Sequence, residues 1–177
     1  MEKKLTISKL DAARRQIETV IRLYFCNGDP VSIHTLTAAS YNILKDLNKK
    51  RGGTPLMVKE LFLDFTKEDR KKEIRDTINE AENFFKHADR DHEGTLDFIP
   101  YLSELMICEA CFVYWKLSGE DPPLFKLFRL WYMANKPDYF NLSEEQKKIF
   151  ADFKPDQLGR EGYFNNFLPL VMKLNIG

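Results

Sequence analysis

The chain has no excess of charge of either sign: its 177 residues hold 27 Lys and Arg against 27 Asp and Glu. That balance excludes a surface given over as a whole to nucleic acid or to an anionic membrane, although a local basic patch is compatible with it. Cysteine is scarce and odd in number, with Cys26, Cys108 and Cys111. Such a set points away from a disulfide framework. The N-terminus, Met1-Glu2-Lys3-Lys4, has no apolar secretory core, so a reducing, cytoplasmic setting is expected. No apolar run is long enough to span a bilayer, and the most apolar stretch, Leu105 to Leu117, is broken by Glu109. Sustained strand alternation, internal repeats and low-complexity tracts are lacking. So are a Gly-rich phosphate loop ending in Lys-Ser or Lys-Thr, a dinucleotide fingerprint and a Gly-x-Ser-x-Gly elbow.

What is present has helical period. Leu10, Ala13, Ile17, Val20, Ile21 and Tyr24 mark a first amphipathic helix that Asn27-Gly28 ends. Asp29-Pro30 opens a second, with Asp as cap and Pro in the first turn, and Ile33, Leu36, Ile43, Leu44 and Leu47 as its apolar face. Lys49 to Pro55 reads as a loop with a basic tip. Thr66 is placed to cap a third helix reaching about Ala88, with Ile74, Ile78, Ala81 and Phe85 in its stripe. A fourth, from about Tyr101 to Leu117, is apolar on nearly every side, as central helices are, so Cys108, Cys111, Phe112 and Trp115 are expected inside. Asp121-Pro122-Pro123 begins a fifth, and Ser143 with Gln146 fits a capping box for a short sixth. A last helix covers about Gln157 to Leu174, where Pro169 is expected to kink or divide it. The expected fold is all-α: a single helical domain with a core over about 8–118 and a packed C-terminal helical extension over about 121–177. The 14 Phe, mostly in the second half, fit bulky helix packing.

Three constellations carry possible chemistry. The first is Glu82-Asn83-Phe84-Phe85-Lys86-His87, whose spacing places Asn83 and His87 on one helix face. Together with the small-residue-rich stretch Ile33 to Tyr41, it resembles the HEPN superfamily, helical bundles that include many toxins and antiviral ribonucleases. The resemblance covers about Leu10 to Leu117. It implies a HEPN-like core of about four helices, a homodimer, and a metal-independent ribonuclease site at which an Arg holds phosphate and a His serves as acid or base. Here Asn83 and His87 are the catalytic candidates, but Glu82 stands at the Arg position and would repel a phosphodiester. Arg75 is about three turns away, and Arg90 follows the helix end. Glu82, Lys86 and Arg90 are therefore candidates for contacting a ligand or partner. More narrowly, Asp29 to Leu36 and Asn83 to Asp91 resemble a set of uncharacterised bacterial proteins, a likeness that implies no particular activity.

The second is Asp89-Arg90-Asp91-His92-Glu93-Gly94-Thr95-Leu96-Asp97-Phe98-Ile99-Pro100, which resembles an EF-hand loop. Asp89, Asp91, Glu93 and Asp97 are the weak metal candidates. The twelfth position, which should give a bidentate Glu, is Pro100, so useful calcium binding is not expected. The third is Cys108-Glu109-Ala110-Cys111. A redox pair wants a helix N-terminus and a zinc site wants further ligands, so mid-helix buried thiols are expected instead. No cofactor is expected. The leading reading is a non-enzymatic binding or regulatory protein, with a link to bacterial toxin or defence systems as an expectation, acting through self-association or a protein partner and not at a membrane. The alternatives are the ribonuclease, which would make nucleic acid a partner, and a weak calcium module.

Overall fold

The computed structural model describes residues 4–61, 69, 71–89, 92–152 and 155–174. They form an all-α helical bundle, with no strand among the described residues. In chain order the elements are α1 (Lys9–Phe25), α2 (Pro30–Lys50), a π-helical turn (Met57–Leu61), α3 (Lys71–Lys86), α4 (Tyr101–Ser118), α5 (Pro123–Asn135), a 3-10 turn (Pro137–Tyr139), α6 (Glu144–Asp152) and α7 (Pro155–Leu174). Thr66, Arg90 and Asp91 lie outside the described residues, as do the side chains of Ile74 and Arg75. No described helix is long and apolar enough to cross a membrane.

Local chemistry sets the helix limits. The Ser8 hydroxyl accepts from the Asp11 amide at 3.1 Å and starts α1. Asn27 takes a positive φ of 51° and Gly28 donates to the Leu23 carbonyl at 2.7 Å, closing its end. The Asp29 carboxylate accepts from Ser32 N at 2.7 Å and starts α2 with Pro30 behind it. Before α6, Ser143 and Gln146 exchange bonds of 2.9 and 3.2 Å, the reciprocal box that their spacing suggests.

α1 and α2 pair side by side, and α4 runs across both, with α5 along its other flank. α7 packs on α5 and reaches α1. The centre is aromatic. Phe25 is fully buried, with ring centroids of Trp131 at 5.6 Å, Phe128 at 6.0 Å, Phe164 at 5.3 Å and Tyr163 at 6.1 Å. The segment after Pro123 thus shares its core with α1. α3 packs on α2 and the π-helical turn.

Two expectations require correction. Cys108 and Cys111 are buried, but Phe112 is only partly so and Trp115 is 47% exposed. A helix apolar on all sides gives no sign of which side faces out, and in its last turn Tyr114, not Trp115, packs inward, 5.1 Å from Phe125. The break in α7 falls at Gly159 (φ 64°, ψ 176°), a conformation open to glycine, and Pro169 sits within the helix that follows. Of the three thiols, Cys26 is exposed at the end of α1.

Candidate functional site

The four residues at the end of α3 do not act together. Glu82 turns inward, with its side chain 11% exposed. Its carboxylate accepts from Lys59 of the π-helical turn at 2.5 Å, Lys86 at 2.7 Å and Asn42 at 2.6 Å. Lys59, 6% exposed, also donates to the Asn42 amide oxygen at 3.0 Å. Burial opposes the charge on Glu82, but the bonds from the two lysines outweigh it and hold the carboxyl at about 2. This is a polar knot tying α3 to α2 and the turn, in which one carboxylate meets two lysines.

Asn83 and His87 are exposed and face away from the knot. They line a broad depression with Asp69, Asp76, Glu80 and Asp89, against which Lys72 is the one cation among the described lining residues. An excess of carboxylates repels a phosphodiester. Asp89, Glu93 and Asp97 are likewise exposed. Among the described residues no three His, Cys, Asp or Glu side chains gather as a metal site requires.

Sequence reasoning passed over His34. This α2 residue is 1% exposed, with Nδ1 2.9 Å from the Ser103 hydroxyl and edge-on contacts to Phe85 at 5.8 Å and Phe98 at 5.1 Å. Its Nε2 has no hydrogen-bond partner among the described residues. Burial lowers its pKa; nearby Glu82 acts the other way, and Lys59 and Lys86 add to the lowering. The native state therefore resists a proton that the unfolded chain takes up below about 6.5. Stability is full above that value and is lost as pH falls through it. Urea midpoints at neutral pH and about pH 5 are expected to differ more for the unaltered chain than for His34→Leu; equal slopes would remove His34 as the cause.

A mostly apolar groove of about 590 Å³ runs along α4. Leu105, Cys108, Phe112 and Val113 form its floor, and Leu56 and Met57 bound one side. Tyr101, Tyr132, Tyr139 and Phe140 supply aromatic walls at the other end. There Tyr101 donates to the Tyr139 hydroxyl at 2.8 Å, close to the buried Tyr132 hydroxyl. Glu109 contributes a half-buried carboxylate. One oxygen accepts from Met57 N at 2.5 Å; the other accepts from the Tyr41 hydroxyl at 2.5 Å and Val58 N at 3.2 Å. These bonds hold the start of the π-helical turn against α4. Burial pushes the Cys108 thiol up to about 12 and Cys111 well above its ordinary value, so neither provides a thiolate at neutral pH. The groove is suited to holding a molecule, and its thiol is not poised for attack.

No protein-family model, curated protein or solved structure matches the chain.

Proposed function

We propose that this chain is a non-enzymatic binding protein whose site is the groove along α4, taking a small molecule with an apolar body. The observation that carries the reading is the groove itself: about 590 Å³ with walls of Leu105, Phe112, Val113 and aromatic rings. Ligand pockets for small molecules fall at about 300–1,000 Å³ and are mostly apolar with a few polar groups. The ribonuclease alternative has less support. Glu82 is consumed by Lys59 and Lys86, and His87 looks onto a depression rich in carboxylates.

The test is calorimetric titration of the full chain with octanol. Saturable binding is expected, weakened by about tenfold in Met57→Trp. Met57 is 40% exposed at the groove's edge, so the larger ring fills space without entering the core. No saturable binding of octanol or of charged molecules with the same chain would overturn the reading. So would cleavage of single-stranded RNA by the unaltered protein that is lost in His87→Ala.

A further inference from the structure

We infer that the ligand of this groove carries a cationic amine head, received by Glu109 and the aromatic walls. The inference rests on the groove being the binding site and adds the ligand's charge. Glu109 differs from Glu82, Glu104 and Asp121, each of which meets a cation. Glu82 has Lys59 and Lys86, Glu104 has Arg160 at 3.0 Å, and Asp121 has Arg129 at 2.7 Å. Glu109 makes no ion pair with any described residue; its three donors, a phenol and two backbone amides, are neutral. Both oxygens accept, as those of an ionised carboxylate do, and these bonds steady the negative charge without cancelling it. The oxygen bonded only to Met57 N keeps room for another donor.

The surroundings favour the same sign. Tyr101, Tyr132, Tyr139, Phe112 and Phe140 line the groove with rings, whose faces attract cations. The chain's own cations already use this chemistry here: Arg129 lies 4.9 Å over the Phe112 ring and Lys136 lies 5.7 Å over Tyr101. Three of the chain's cations stand near the groove: Lys116 at the rim is exposed and screened by water and salt, Arg129 is paired with Asp121, and Lys136 lies over Tyr101; Glu109 is half-buried in the wall. A half-buried charge acts through a lower dielectric and dominates the choice.

The experiment compares octylammonium, octanol and octanoate by calorimetry on the full chain at neutral pH. Octylammonium is expected to bind about tenfold more tightly than octanol, and octanoate more weakly than either. In Glu109→Gln, the preference for octylammonium over octanol is expected to disappear. Because Glu109 also holds the π-helical turn, a second variant leaves it intact: Tyr139→Leu, at a 60% exposed residue, should narrow the preference for octylammonium over octanol. About 0.5 M sodium chloride should weaken octylammonium alone. Octanol binding as tightly as octylammonium in the unaltered protein sinks this inference and leaves the groove reading standing. A preference that survives in folded Glu109→Gln, or is untouched by both Tyr139→Leu and salt, also overturns it. Failure of all three molecules to bind removes the groove reading and the inference with it.

Discussion

Glu82→Ala is expected to destabilise the protein by about 3–5 kcal/mol, the range for removing one partner of a buried ion pair. The reason lies in what the substitution leaves behind. Lys59, 6% exposed and with its pKa already lowered by burial, would have only the Asn42 amide oxygen to meet it, so it must either hold an unpaired buried charge or give up its proton. Glu82→Arg should be worse, since it brings a third cation against Lys59 and Lys86. Urea denaturation at neutral pH reads both, and a midpoint within error of the unaltered chain would show that the knot contributes nothing. The pH dependence has a definite sign. The Glu82 carboxyl lies lower in the folded chain, at about 2, than in the unfolded one. Its contribution is complete above the ordinary carboxylate range and disappears as pH falls toward about 2. Glu82 is thus a position whose two neighbouring lysines oppose an Arg.

Phe25→Ala should have an effect of similar size, about 3–5 kcal/mol. Phe25 is fully buried and touches Phe128 and Trp131 of α5 and Tyr163 and Phe164 of α7, so truncation opens a cavity where three helices meet. Phe112→Ala should cost less, because Phe112 is only partly buried at the groove and already borders open space. Equal losses for the two, measured by denaturant midpoint, would contradict the placement of the core around Phe25.

These two residues also show where the sequence is readable. α1, α2 and α6 could be bounded from it because their signals are local: Asp29 before Pro30, Asn27 before Gly28, Ser143 three residues before Gln146. Helical period gave Phe25 no special rank, since its partners on other helices lie at least 103 residues further along the chain. Trp115 was misplaced because α4 is apolar all round and its orientation is fixed by α1, α2 and α5 together. The π-helical turn has no local signature. Its first amides are held by Glu109, 51 and 52 residues away. Asn83 to His87 could be put on a helix, yet spacing could not show that Glu82 turns in toward Lys59. The groove escaped notice for the same reason: its lining runs from Asn48 to Phe140 and exists only once the chain is folded.

Cys26 has a practical consequence. It is the exposed thiol of the three, directly after the buried Phe25, while Cys108 and Cys111 are shielded in α4. A maleimide dye applied to the native protein therefore has one attachment point. That makes Cys26 a ready site for a reporter of whether the aromatic centre beneath it is intact. The same exposure makes Cys26 the natural point of air oxidation during storage, and exchanging it for Ser would leave the interior untouched.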